Sequence, residues 1–214
     1  RLGVDQIAKT INVDPIPVDE VDLIEWDPNT EEKLVAAILF PEMNLPESQL
    51  IEIVQKMSFE QKTKTILSYV GDRKNRRHKP GRALEKFFYR FEILSDFGSF
   101  RDLQRHRMLT IEWQRLTTRH GYLMPPEIKE LGFKNTWNEM MGKMSELFDV
   151  LEKDLSPEIA QYAVPFGYKM RYFLHLNARE AFHLLELRTA QQGHSDYRRI
   201  CQQMHKLIKE KAGH

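Results

Sequence analysis

Arginine, histidine and arginine stand side by side at Arg105-His106-Arg107, directly after the apolar segment Phe97 to Leu103. Two guanidiniums that stay charged flank an imidazole that titrates. Such a triplet is costly to pack into a core, because a buried cation without a partner is strongly penalised. The chain is therefore expected to turn here and show the triplet to solvent or to an anion. Phosphate suits the planar fork of arginine best. Met108, Leu109 and Ile111 follow as a short apolar anchor that would hold the cluster in place. A solvated basic turn at a helix end is the plainer alternative.

A second segment, Asn177-Ala-Arg-Glu-Ala-Phe-His-Leu-Leu-Glu-Leu-Arg188, reads as a helix. Asn177 followed by Glu180 is a helix-start pattern. Arg179, Phe182, His183 and Glu186 recur at helical spacing and share one face. Ala181, Leu184, Leu185 and Arg188 lie on another. A face mixing Arg, Phe and His suits a planar ligand with a charged tail. The alternative is a capped helix with a satisfied interfacial histidine.

The remaining pattern alternates helices with a few strands. Val21 to Trp26 and Phe87 to Leu94 alternate like strands, the second with Tyr89, Phe91 and Ile93 on one side. Tyr168 to Leu176 reads as another strand. Helices are expected from Glu31 to Phe40, Glu47 to Met57, Ser58 to Val70 and Asp96 to Gln104. Ser58 and Gln61 form a capping box. Asn135 to Leu155 reads as a long amphipathic helix with Trp137, Met140, Met141, Met144, Leu147 and Leu151 on its apolar side. These methionines suit core filling. Ser195 to Lys211 closes the chain as a helix. Residues 1–20, with Pro15 and Pro17, read as a linker or N-terminal arm, and 21–214 as one domain. The expected class is α+β: a small, mainly antiparallel sheet flanked by several helices.

With 214 residues, the chain can bury a real core. A net charge of +1 gives no global field to recruit nucleic acid or membrane. The one cysteine, Cys201, excludes an internal disulfide framework and favours a reducing, cytoplasmic setting. It sits on a polar helix without an evident base. No apolar run is long enough to span a membrane, and no signal peptide is visible. The eight histidines do not fall into metal-ligand spacing, so no metal is expected. The run Arg73-Lys-Asn-Arg-Arg-His-Lys79 holds five formal cations in seven residues. It is the best argument for a nucleic-acid-binding module, but it lacks interleaved aromatics. A solvated loop or a rim for a cofactor pyrophosphate fits it better.

Taken in order, these segments resemble the flavin-dependent thymidylate synthases. That family carries an R-H-R signature, matched by Arg105, His106 and Arg107. A later N-x-R-x-x-F-x-x-L-x-L-R helix is matched by Asn177, Arg179, Phe182, Leu185, Leu187 and Arg188. His78 to Glu85 is similar to its short His-Pro-Glu segment. The resemblance implies a reductive methylation of a deoxyuridine nucleotide with FAD, NADPH and methylenetetrahydrofolate, in a homotetramer whose sites lie between subunits. It implies flavin contacts from Arg105, His106, Arg107, Asn177, Arg179 and His183. Arg105 and Arg188 would serve catalysis, with Arg188 at the electron-rich pyrimidine edge. Thr110, Arg115, Gln161 and Arg188 would meet deoxyuridine monophosphate or a related pyrimidine nucleotide.

The nucleotide side departs from the family pattern. Arg115 stands where the family has a serine, Thr117 where it has an arginine, and Gln161 where its pyrimidine-contacting arginine lies. Glu112 replaces an asparagine, exchanging a mixed donor and acceptor for an anion. An active flavin enzyme is therefore weighed against a catalytically lapsed half of a tandem protein that keeps flavin binding or an assembly role.

Overall fold

The computed structural model describes residues 2–11, 13, 16 and 18–212. Four strands form one antiparallel sheet in the order β1-β2-β4-β3. They are β1 (Val21–Trp26), β2 (Phe88–Asp96), β3 (Leu109–Trp113) and β4 (Lys169–Asn177). Alternation fixes the register. Tyr89, Phe91 and Ile93 of β2 lie opposite Leu176, Leu174 and Tyr172 of β4, and all six are buried on one face. A one-residue slip would turn every one of them to the other face. Truncating a side chain such as Phe91 to alanine typically costs about 3–5 kcal/mol.

The helices follow their local signals. They are α1 (Leu2–Thr10), α2 (Thr30–Leu39), α3 (Glu47–Gln55), α4 (Phe59–Val70), α5 (Phe97–Leu103), α6 (Pro126–Glu130), α7 (Lys134–Asp154), α8 (Pro157–Ala160), α9 (Ala178–Arg188) and α10 (Ser195–Leu207). The Ser58 hydroxyl accepts from Gln61 N–H, and Gln61 Oε1 accepts from Ser58 N–H, so the capping box is present. Asp96 caps α5 by accepting from Ser99 N–H at 2.8 Å. Asn177 caps α9 by accepting from Glu180 N–H at 2.9 Å. Leu103 of α5, Leu184 of α9 and Ile200, Cys201 and Met204 of α10 join the sheet residues in the main core. Two smaller clusters form under α7 and between α2 and α3.

Several expectations need correction. Leu109–Trp113 is a strand, not just an apolar anchor. It pairs with β4, and Leu109 and Ile111 pack against the main core. On α7 the buried residues are Met141 and Phe148, while Met140 and Leu147 are exposed. Phe148, which that reading left out, is buried on this side with Met141. Within the arm at 1–20, Leu2–Thr10 is helical. Pro15 and Pro17, on which the linker reading rests, lie outside the described residues. The last helix ends at Leu207 and continues as a wider turn over Ile208–Ala212.

Candidate functional site

The Asn177 end of β4 leads directly into α9, and a cleft of about 320 Å³ opens beside this junction. Asn177, Arg179, Glu180, His183 and Glu186 form its helical wall. Arg73, Arg76 and Lys79 form a basic wall, with Pro80, Glu85 and Met108 completing the lining. Three of the five cations in the 73–79 run therefore border the same space as the Arg179, His183 and Glu186 face of α9 read from spacing.

Carboxylates hold part of this basic wall in place. Arg73 makes a two-pronged pair with Glu186, both contacts at 2.9 Å, and lies over the Phe182 ring at 5.3 Å. Arg179 donates to Glu85 at 2.6 Å and to the Pro80 carbonyl at 3.2 Å. Its neighbours hold the Glu85 carboxyl below its usual range, Arg82 first and then Arg179. The segment around Pro80 is itself fixed by Tyr69, whose hydroxyl accepts from Ala83 N–H at 3.0 Å. Gly81 permits this, because a Cβ there would overlap the Tyr69 ring. Arg76 and Lys79 have no ion-pair partner among the described residues. They supply the cleft with positive charge that no acid among the described residues pairs with.

The R-H-R triplet divides. Arg105 and Arg107 are exposed, while His106 is only 6% exposed. This corrects the expectation that the whole triplet avoids the interior. Burial is possible because His106 is bonded on both sides. Its Nδ1 lies 2.8 Å from Glu180 Oε1, and Arg188 Nε donates to its Nε2 at 3.0 Å. Arg188 also donates to the Asp102 carbonyl at 2.6 Å. None of Arg105, His106, Arg107 and Arg188 lines the cleft. Arg105 lies 3.6 Å from Asp102. Glu180 is the cleft residue whose place the sequence pattern did not show. Its backbone serves the helix start, but its carboxylate crosses to His106.

His106, Glu180 and His183 bring donor atoms within 4.8 Å of one another, a spacing that a metal ion could use. The hydrogen bonds argue against it. With Nε2 accepting from Arg188, the neutral imidazole carries its proton on Nδ1 and donates to Glu180. Nδ1 then has no lone pair for a metal, and nearby Arg188, Arg179 and Arg73 disfavour a further cation.

The expected nucleotide residues gather elsewhere. Thr110 is exposed and pairs with His175 across β3 and β4. From Leu109 to Trp113 the strand runs away from Asn177 by roughly 14 Å. Arg115 follows it and lies 3.1 Å from Glu158. Gln161 Oε1 accepts from Leu116 N–H at 3.0 Å. Arg119 pairs with Glu152 at 2.5 Å and lies over the Phe148 ring. The Arg115, Gln161 and Arg119 side chains have partners within the chain, and neither they nor Thr110 line the cleft.

No helix among the described residues is long and apolar enough to cross a membrane. Residues 22–213 match the family described as thymidylate synthase complementing protein. Among curated relatives, a UPF0159 protein of Chlamydia pneumoniae is 42% identical over 180 residues, which are 84% of this chain and 34% of that protein. UPF0159 proteins of Chlamydia muridarum and Thermoplasma acidophilum are 39% and 35% identical, covering 88% and 89% of this chain. The matched region is 35% and 39% of their lengths, so the chain spans little more than a third of these relatives. In structure the chain is similar to flavin-dependent thymidylate synthase ThyX from Helicobacter pylori complexed with FAD and dUMP. The TM-score is 0.60 at 20% identity, with 89% of this chain and 92% of that one covered. A second structure of that enzyme with FAD and dUMP gives a TM-score of 0.62 at 20% identity, over 88% and 92%. These likenesses carry the fold, and the near-complete family match carries the assignment: the chain belongs to the thymidylate synthase complementing protein family.

Proposed function

We propose that the cleft binds FAD and that the chain serves a flavin-dependent thymidylate synthase reaction, the reductive methylation of a deoxyuridine nucleotide. The observation that carries this reading is the pair Arg76 and Lys79. They face a cleft that also holds Asn177, Arg179 and His183, and they have no acid partner among the described residues. Unpaired cations beside a polar helix start suit a pyrophosphate. A volume of about 320 Å³ is at the low end for a ligand pocket. It encloses only part of a dinucleotide, which suits a site completed by a second copy in a homotetramer.

The reduced flavin would supply hydride, NADPH would re-reduce it, and methylenetetrahydrofolate would carry the one-carbon unit. The chain's own work is binding and orientation. Arg179 and Asn177 would hold the cofactor, with His183 beside it. Arg105 and Arg107, both exposed, would reach a ligand that extends past the cleft. His106 acts from below, fixing Glu180 and Arg188. Arg188 would serve the pyrimidine edge only after releasing His106 and Asp102.

A second reading is favoured by the nucleotide side. Gln161, Arg115 and Arg119 are engaged within the chain. A lapsed half that keeps the cofactor site would look like this. In either reading we take 21–214 as the domain, 1–20 as an arm, and the lone Cys201 as suited to the cytoplasm. Purified protein should show flavin absorbance bands in the near-ultraviolet and blue after incubation with FAD and gel filtration. Their complete absence would remove the cofactor reading on which both depend.

A further inference from the structure

A second pocket, of about 300 Å³, lies away from the cleft. It is walled by the rings of Trp137, Phe166 and Tyr197, with Asp96 and Asp196 supplying its acids. Phe166 is steadied by Phe97, edge to face at 5.1 Å. Asp96 is only 9% exposed. Its Oδ1 caps α5, but its Oδ2 is buried and has no hydrogen-bond partner among the described residues. Trp137 Nε1 is in the same position. Such buried orphans cost stability and call for an explanation. Apart from His194, 3.5 Å from Asp196, no basic side chain is among the described residues that line the pocket.

We infer that this pocket binds a small organic cation, an amidinium or guanidinium, with its N–H donors on Asp96 and its body between the aromatic rings. Carboxylates recognise the planar N–H edge of such groups, and aromatic faces attract their charge. The local field agrees. Burial holds the Asp196 carboxyl above its usual range, Asp96 adds to the shift, His194 opposes it and Glu127 adds a little more. A cation entering here would relieve that concentration of negative charge. An acceptor atom elsewhere on the same ligand would also satisfy the Trp137 N–H. The inference does not depend on the flavin reading, because the two sites share no lining residue.

The test is a calorimetric titration of the full chain with benzamidine and with argininamide, which adds a carbonyl acceptor. Asp96→Asn is the informative variant, because asparagine still caps a helix while losing the charge. Asn at this position should weaken both ligands about tenfold or more. Benzoate, the anionic counterpart of benzamidine, should not bind. Equal affinity in the native chain and Asp96→Asn, or binding of benzoate as tight as benzamidine, overturns the assignment. Failure of both cations to bind the native chain overturns it as well. A capped Gly-Arg-Gly peptide binding tenfold more tightly than argininamide would make the pocket a protein-docking site and overturn the small-ligand assignment. Trp137→Phe keeps the ring and removes the N–H. It should weaken argininamide more than benzamidine, and an equal effect on both would remove the acceptor requirement.

Discussion

Arg188 Nε donates to Nε2 of His106 at 3.0 Å, and the same imidazole meets Glu180 through Nδ1 at 2.8 Å. A permanent cation and a buried carboxylate are thus joined through one ring. The contact ties the turn after α5 to both ends of α9, across 74 and 82 residues of sequence. It also explains how a histidine from a strongly basic triplet can sit in the interior. Neither of its nitrogens is left without a partner, and the adjoining charges balance.

This arrangement predicts an asymmetric mutation series. Glu180→Ala leaves a buried imidazole N–H unsatisfied and should cost about 1–3 kcal/mol. Glu180→Gln keeps an acceptor and should recover part of that. Urea denaturation monitored by circular dichroism reads both. If the alanine and glutamine variants lose the same stability, the hydrogen bond is not what holds this junction.

Much of the fold was legible locally. Tyr89, Phe91 and Ile93 announced a one-sided strand because strand periodicity needs only neighbours. Ser58 and Gln61 announced a helix start for the same reason. β3 escaped because Leu109-Thr-Ile-Glu-Trp113 is five residues long and follows a charged triplet that dominates its surroundings. The alternation of Leu109, Ile111 and Trp113 was the available signal. The site was harder to read. The face of α9 followed from spacing, but Arg73 meets Glu186 across 113 residues, and no local pattern encodes that pairing. The same holds for the destination of Glu180.

A pH dependence follows from two buried acids that are neutral when protonated. Burial pushes the Cys201 thiol up to about 12, with Arg188 opposing, and the Tyr89 phenol up to about 12. In the unfolded chain these groups ionise near ~8.5 and ~10. The folded state therefore holds its protons more tightly. The stability they contribute is fully present below pH ~8.5 and is lost as pH rises toward 12. Urea midpoints should fall between pH 8 and 11, and Cys201→Ala should shift the onset upward. A flat or rising midpoint in the native chain would contradict this. The same burial predicts that iodoacetamide leaves Cys201 unmodified until the chain unfolds.

The flavin reading predicts which cations matter and how. Arg76→Ala and Lys79→Ala remove charges that no described acid neutralises, so each should weaken FAD binding with little change in melting temperature. Arg179→Ala should also weaken binding, by about 1.5–3 kcal/mol for a lost contact to a charged group. It differs in one respect, because it leaves Glu85 with Arg82 alone and frees the Pro80 carbonyl, and so should lower stability too. FAD affinity should fall as salt rises, since the unpaired pair is exposed. Flavin fluorescence titration and thermal melting separate these effects. Equal FAD affinity across all three variants would place the cofactor elsewhere.

The nucleotide side predicts that deoxyuridine monophosphate is turned over poorly, if at all, by the chain as it stands. Arg115 lies against Glu158, and Arg119 is tied to Glu152. Gln161 holds Leu116 N–H, and a neutral amide cannot stabilise an electron-rich pyrimidine as a guanidinium does. Losing one such contact typically removes about 2–4 kcal/mol of transition-state stabilisation, roughly two to three decades in rate. The assay is tritium release from labelled deoxyuridine monophosphate with FAD, NADPH and methylenetetrahydrofolate. It should be run on the native chain and on Gln161→Arg combined with Arg115→Ser. The change at 161 also strips Leu116 N–H of its acceptor, so the double variant should lose stability, and its melting temperature must be measured beside its activity. Activity that rises in the double variant despite that loss would show that these positions guard the nucleotide pocket. Vigorous turnover by the native chain would show that the nucleotide is bound by other residues, and that Gln161 and Arg115 only brace the loop after β3.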